Sequence, residues 1–207
     1  MPPRRETVAL AVKHLQRRDK VLHAAVRRVG PCRLKLQRDR FGCLARAIIS
    51  QQISVAAARS IRGRLLELAG PDGITPQSLL RQSPESLRTA GVSPQKSRYL
   101  LDLAEKVHRG EVPLARIGRL DDEQVIESLT RIKGVGRWTA EMFLIFSLGR
   151  MDVLPVDDLG VRSAIRRLYG LADLPDKATC HEIGAPWRPY ASVASWYLWR
   201  SLEPTGA

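Results

Sequence analysis

Apolar residues recur at helical spacings of three and four along most of this chain, and short polar breaks separate the runs. One run begins after Ser54, passes through Ile61 and Leu68, and ends at Gly70. A serine before the first turn and a glycine after the last are common start and stop signals of a helix. Alternating strand patterns are nearly absent, apart from a short extended stretch at 33–37. The pattern therefore predicts an all-α protein.

Other helix starts carry equally local signals. A capping residue followed by proline at the first helical position predicts three starts, at Thr75-Pro76, Ser83-Pro84 and Ser93-Pro94. Asp121 or Asp122 opens a further helix, and the last helix is predicted from about Pro189 through Trp196 and Leu198. Because the breaks between these runs are short, we expect a compact helical bundle.

Two motifs stand out from this pattern. Gly134-Val135-Gly136 separates two helical runs, and the glycines permit a sharp turn that leaves backbone amides uncovered. A helix that starts after such a turn is suited to bind a phosphate. Further on, residues 154–160 (Leu-Pro-Val-Asp-Asp-Leu-Gly) place Asp157 and Asp158 at another helix start. A phosphate clamp near a placed carboxylate suggests chemistry on a nucleic acid.

The charge balance is consistent with such a partner. The chain of 207 residues has 34 Lys and Arg against 21 Asp and Glu, a formal net charge of +13. Residues 1–40 hold twelve of the cations and three acids, a net of +9. A strongly basic protein favours a polyanionic partner, although a solvated basic surface accounts for the same excess.

Cysteine usage and hydropathy exclude other classes. Cys32, Cys43 and Cys180 are far apart and lack the spacing of a zinc or iron–sulfur site. The start of the chain has no signal-peptide pattern, and no segment approaches eighteen consecutive apolar residues. We therefore expect a cytoplasmic protein with no membrane segment and no cofactor, associated with the nucleoid if the source is bacterial.

Four segments follow one another along the chain: residues 47–54 (Ala-Ile-Ile-Ser-Gln-Gln-Ile-Ser), 134–140 (Gly-Val-Gly-Arg-Trp-Thr-Ala), 154–160, and 187–191 (Trp-Arg-Pro-Tyr-Ala) together with Trp196. In this order they resemble the helix-hairpin-helix DNA glycosylase superfamily, and most closely its DNA-3-methyladenine glycosylase II branch. The resemblance implies a two-lobed helical bundle with a catalytic cleft between the lobes. Lobe A would be about 45–150, including the hairpin at 129–147, and lobe B would be 1–44 with 151–207. The N-terminal β domain of some members would be absent.

The resemblance assigns the catalytic role to Asp158. Breaking an N-glycosidic bond develops positive charge on the sugar, and a fixed carboxylate near C1′ stabilises that charge. Asp157 would then cap the helix that follows. Alternatively, both aspartates serve only as helix caps, since Asp is a preferred capping residue.

The resemblance also implies a base pocket and a DNA-binding surface. The pocket residues would be Trp196, Trp138, Gln51, Tyr190 and Trp187, and core packing is the competing explanation for each aromatic ring; Trp199 is expected in the core. The DNA-binding residues would be Gln52 at the wedge position, where it either fills the gap left by the flipped base or hydrogen-bonds the orphaned base, and five residues of the hairpin: Lys133, Gly134, Gly136, Arg137 and Thr139. A monovalent cation would bind carbonyls near Ile132 and Val135. For Gln51 and Gln52 the alternative is a polar connection between helices.

The implied activity is that of a monofunctional DNA glycosylase. It would flip alkylated bases such as 3-methyladenine and 7-methylguanine out of double-stranded DNA and hydrolyse their bond to the sugar, as a monomer, in base excision repair. Lyase branches carry a lysine where Trp138 stands, so no Schiff base is expected. The alternatives are a catalytically silent helix-hairpin-helix DNA-binding protein and, disfavoured by the missing lysine and cysteines, an adenine or oxidised-purine glycosylase.

Overall fold

The computed structural model describes residues 5–203, and all regular secondary structure in that range is helical. The α-helices are Arg5–Arg18 (α1), Lys20–Val29 (α2), Arg40–Ser50 (α3), Val55–Ala69 (α4), Pro76–Leu80 (α5), Pro84–Thr89 (α6), Pro94–His108 (α7), Asp122–Thr130 (α8), Arg137–Phe143 (α9), Leu159–Tyr169 (α10), Lys177–Gly184 (α11) and Ala191–Leu202 (α12). A π-helical turn, Leu144–Leu148, follows α9, and short 3-10 turns lie at Gly70–Asp72, Ile117–Arg119 and Ala185–Trp187. The prediction of an all-α fold is confirmed.

The predicted helix starts are confirmed at the level of their hydrogen bonds. The side chains of five residues each accept a bond from the backbone amide three residues later: Ser54, Thr75, Ser83, Ser93 and Asp121. Such a cap satisfies one of the amides that the first helical turn leaves without an intrahelical partner. The last helix begins at Ala191, slightly later than predicted, because the backbone of Tyr190 is not helical (φ −126°, ψ 30°).

Packing groups the described residues into two units. One joins the residues up to Leu36 with those from Leu144 onward, and the other is Gln37–Phe143. The lobes expected from the sequence divide the chain at 44/45 and 150/151, so both observed boundaries fall earlier.

The unit Gln37–Phe143 contains helices α3 to α9. Helix α7 packs against α3, α5 and α6, and α3 also packs against α4 and α9. Leucines from different helices are fully buried there, among them Leu44, Leu65, Leu87 and Leu100. Helix α7 is thus in contact with both the helix that precedes residues 51–54 and the smaller helices of this unit.

The other unit is built on α12, which packs against α1, α2 and α10. Asp19 joins several of its elements: Oδ1 accepts the amides of Val21 and Leu22 at the start of α2, and Oδ2 accepts the Trp187 Nε1–H (2.8 Å) and the Tyr169 hydroxyl. Burial and the neighbouring carboxylate raise the pKa of the Tyr169 hydroxyl well above its usual range. Trp187 is therefore a fully buried core residue whose polar atom is satisfied.

Candidate functional site

The glycine turn joins α8 to α9 as the sequence predicts. Gly134 has a φ of +79°, and a Cβ atom there would lie 2.1 Å from the Tyr99 ring. Gly136 has open space where a Cβ would stand, and its carbonyl accepts the Ala140 amide (3.1 Å) as α9 begins. Glycine is thus required at 134 by both conformation and space, whereas at 136 only an approaching ligand would require it.

A carboxylate from α7 fastens this turn. Asp102 Oδ2 accepts the backbone amide of Lys133 (2.8 Å), and Oδ1 accepts a bond from the Lys106 ammonium (2.7 Å). Burial raises the pKa of Asp102, but the bonds from Lys106 and the Lys133 amide outweigh burial and lower it overall. The Lys133 ammonium lies 3.8 Å from Oδ1 and is largely exposed.

The remaining hairpin residues differ in accessibility. Arg137 donates two hydrogen bonds to Glu123 (2.9 and 2.6 Å), and these bonds lower the pKa of Glu123. Thr139 is buried, so its expected contribution is limited to its backbone amide. Trp138 is 43% exposed, and core packing therefore does not account for it.

Residues 51–54, which we name the Gln loop, connect α3 to α4. The Gln51 side chain donates from Nε2 to the Gly134 carbonyl (2.8 Å), which links the loop to the hairpin turn. Gln52 is exposed and has a φ of +54°, an unusual backbone conformation for a residue other than glycine. Ile53 and Val55 beside it are exposed apolar residues.

Asp158 is the N-cap of α10. Its Oδ1 accepts the Val161 amide (2.7 Å) and the Trp199 Nε1–H (2.8 Å), and the residue is half-buried. Asp157 is exposed and pairs with the Lys177 ammonium (2.6 Å). The expectation that Asp157 caps this helix is wrong, because α10 begins at Leu159 and the residue directly before it is Asp158.

Trp199 is the functional candidate that the sequence reasoning missed. It was expected in the core, but it is only partly buried, bonds to Asp158, and lies 5.6 Å from the Phe146 ring, measured between ring centroids. A Cβ on Gly160 would stand 2.9 Å from Asp158 Oδ1 and 3.1 Å from Trp199 Cδ1. The glycine therefore leaves room for the contact. The signal in the sequence was weak: Trp199 follows Trp196 by one helical turn, which places both near one side of α12.

The other aromatic candidates have different surroundings. Trp196 is 7% exposed, packs edge-on against Tyr197, and has the Arg200 guanidinium 5.5 Å from its ring centroid. Tyr190 is partly buried and packs edge-on against His14 (5.3 Å between centroids). The structure thus brings Trp199 to Asp158 and places Trp196 and Trp187 in the hydrophobic core of this unit.

The described part of the chain, residues 5–203, has neither a cluster of metal-ligating side chains nor a helix suited to span a membrane. No group of His, Cys, Asp and Glu side chains in that range has the arrangement of a metal site. None of the described helices is both long and apolar enough to cross a bilayer.

A helical fold with a glycine hairpin and an aspartate that caps a later helix is typical of the helix-hairpin-helix base-excision class. The family model of the HhH-GPD superfamily base excision DNA repair protein matches residues 45–189. The chain belongs to this family.

Individual relatives agree with that membership. The chain is 34% identical over 195 residues to the alkylbase DNA glycosidase-like protein mag2 of Schizosaccharomyces pombe, covering 92% of each chain. Among solved structures, it matches the 3-methyladenine DNA glycosylase Mag1 of the same yeast in complex with abasic DNA (TM-score 0.81, 36% identity, 91% of this chain and 94% of that one). It also matches a DNA-3-methyladenine glycosidase from Bacillus halodurans (TM-score 0.82, 39% identity, 91% and 87%).

Proposed function

We propose that this protein is a monofunctional DNA glycosylase that removes alkylated bases, of the 3-methyladenine and 7-methylguanine type, in base excision repair. Its substrate is double-stranded DNA, and it works as a monomer in the cytoplasm. The observation that carries the proposal is the fixed carboxylate of Asp158 at the start of α10, held by a backbone amide and by Trp199. The relatives named above support the same class of substrate.

The chemistry assigned to Asp158 is electrostatic. As the base leaves, the sugar gains oxocarbenium character, and a carboxylate already held in place stabilises that charge without reorganising. The two bonds to Oδ1 restrict the rotation of the side chain. An adenine alkylated at N3 or a guanine alkylated at N7 is cationic and leaves as a neutral base, so one carboxylate suffices without a strong general acid.

The absence of lyase chemistry is part of the proposal. A Schiff-base mechanism needs an amine that attacks C1′. Trp138 occupies the position at which lyase branches carry that lysine, and the ammonium of nearby Lys133 lies close to Asp102. The reaction is therefore hydrolysis, with water as the nucleophile.

The hairpin is assigned to the DNA phosphate. Helix α9 begins directly after the glycine turn, a helix start favours a bound phosphate, and the largely exposed Lys133 adds positive charge. The carbonyls of Ile132 and Val135 suit a monovalent cation; Ile132 O accepts the Val135 amide (3.1 Å) and retains a second lone pair. When bound, such a cation supplies positive charge beside the phosphate.

The pocket assignment gains one residue. Trp199 and Phe146 form an aromatic pair beside Asp158, and a flipped, electron-poor purine stacks favourably on such rings. Trp138, Gln51, Tyr190, Trp196 and Trp187 stay candidates from the sequence. Burial makes Trp196 and Trp187 weaker candidates than Trp199.

The silent DNA-binding alternative keeps one supporting observation, since capping α10 is by itself a sufficient reason for an aspartate at 158. Base release separates the two functions. Incubated with methylated duplex DNA, the protein should release methylpurines and leave an abasic strand that breaks only after alkali. Borohydride should trap no protein–DNA adduct. Binding without base release would leave the silent binder, and a trapped adduct would replace hydrolysis with lyase chemistry.

A further inference from the structure

Three side chains of α7, spaced three residues apart, contact either the Gln loop or the hairpin turn, the two elements that are proposed to bind DNA. Lys96 Nζ donates to the carbonyls of Ile49 and Gln51, both at 2.7 Å. The Tyr99 ring lies where a Cβ on Gly134 would stand, and Asp102 holds the Lys133 amide. Residues three apart on a helix are neighbours along one face, so a single rigid helix supports both the Gln loop and the hairpin turn.

The position of Lys96 suits the end of α3. The last carbonyls of a helix lack intrahelical partners and carry a partial negative charge, so an ammonium there satisfies and stabilises them. Lys96 is partly buried, and burial lowers its pKa.

The residue directly after this anchor has a strained backbone. Gln52 has a φ of +54°, and such conformations in non-glycine residues persist only where surrounding contacts hold them. Lys96 fixes the main chain of Gln51 on one side, and the Gln51 side chain is tied to the Gly134 carbonyl (2.8 Å). Gln51 is therefore held through both its main chain and its side chain, and Gln52 projects from a fixed base.

We propose that Lys96 is a positioning residue for base flipping. Its two hydrogen bonds hold the Gln loop in a fixed position relative to the hairpin, so that Gln52 enters the duplex at a defined distance from the phosphate that the hairpin binds. The proposal rests on the proposed function. No motif marks Lys96 in the sequence, where it is an ordinary residue in the first turn of a capped helix.

The test compares three variants: Lys96→Met, which removes both bonds; Lys96→Arg, which keeps a charged donor; and Arg98→Met, which removes one charge from an exposed position of the same helix. Single-turnover excision is measured on 7-methylguanine paired with cytosine and on 7-methylguanine opposite an abasic site. Lys96→Met should slow excision of the paired base at least about tenfold, as expected for lost bonds to a charged group. The loss should be smaller for the unpaired base, whose extrusion costs less. Lys96→Arg should recover most of the rate, and Arg98→Met should match wild type.

A binding measurement makes the test independent of catalysis. The affinity for a duplex with a tetrahydrofuran abasic analogue is divided by the affinity for undamaged duplex, and Lys96→Met should lower this ratio relative to wild type. Wild type that releases no base would overturn the proposed function, while the ratio would still decide the role of Lys96. Any of three results would overturn the positioning role. Lys96→Met loses the same factor in rate on both excision substrates, its affinity ratio equals that of wild type, or the affinity ratio of wild type is one.

Discussion

At the scale of single residues, Asp158 combines a structural role with the proposed catalytic one, because the same oxygen caps α10 and accepts the Trp199 indole N–H. Asp158→Asn should lower single-turnover excision by at least about 100-fold, the usual size of such electrostatic terms. Stability should change little, since asparagine also caps helices well. Rates on methylated duplex and thermal melts measure the two effects.

The neighbouring carboxylate is the matched control for this prediction. Asp157→Asn removes only an exposed pair with Lys177, which is worth about 0–1 kcal/mol. It should leave both the rate and the melting temperature close to wild type. If Asp158→Asn behaved like Asp157→Asn in the excision assay, the catalytic assignment would be wrong.

A second residue-scale prediction separates the two tryptophans of α12. Trp199→Phe keeps an aromatic ring but removes the donor to Asp158, so excision should fall about tenfold with the fold retained.

Trp196→Ala empties a buried site and should cost about 3–5 kcal/mol of stability, with equal activity loss per folded molecule on cationic 7-methylguanine and neutral hypoxanthine. A Trp196→Ala loss confined to the cationic base would instead place Trp196 in the pocket.

Single-residue predictions from the sequence succeeded where the signal was local. The helix start at 157–158 was predicted correctly, but the cap was assigned to Asp157 and is Asp158. An aspartate suits the N-cap at either position, and only the first turn of α10 decides between them. The contacts of Lys96 with Gln51 and of Trp199 with Asp158 join residues far apart in the chain. No periodicity or spacing encodes such contacts.

At the scale of elements, the structure of the hairpin predicts that substituting its two glycines affects stability differently. Gly134→Ala forces a Cβ into the Tyr99 ring at a φ of +79°, so it should destabilise the fold by about 1–3 kcal/mol. It should also weaken binding to damaged and undamaged DNA alike. Gly136→Ala meets open space and should alter stability by less than about 0.5 kcal/mol.

The second glycine also tests the phosphate site itself. Loss of DNA affinity in a fully stable Gly136→Ala variant would locate the phosphate against that backbone, because the added methyl group obstructs only an approaching ligand. Melting curves and fluorescence anisotropy on the same samples provide both measurements. A Gly134→Ala protein as stable as wild type would contradict the structural role assigned to Tyr99.

The sequence was most informative about where individual helices begin. Capping serines, threonines and aspartates act on amides within one turn, so Ser54, Thr75, Ser83, Ser93 and Asp121 could be recognised without any tertiary information. The grouping of residues 5–36 with those from Leu144 onward depends on packing between distant segments. Hydrophobic periodicity shows that each helix has a buried face, but not which helix covers it.

At the scale of the whole molecule, the formal net charge of +13 bears directly on the proposed partner. Binding of a basic protein to duplex DNA releases counterions, and each phosphate contact contributes about −0.9 to the slope of log affinity against log salt. The protein should therefore bind duplex DNA with a steep salt dependence whatever base is present, and single-stranded DNA with a shallower slope of about −0.7 per contact. Titrations from low to moderate potassium chloride, on undamaged duplex and on single strands, measure both slopes.

Replacing Lys133 with Met should make the duplex slope shallower by about one contact, whereas Lys177→Met, which removes a cation paired with Asp157, should leave it unchanged. If the affinity for duplex DNA did not change with salt concentration, the proposal that this protein binds nucleic acid would be wrong.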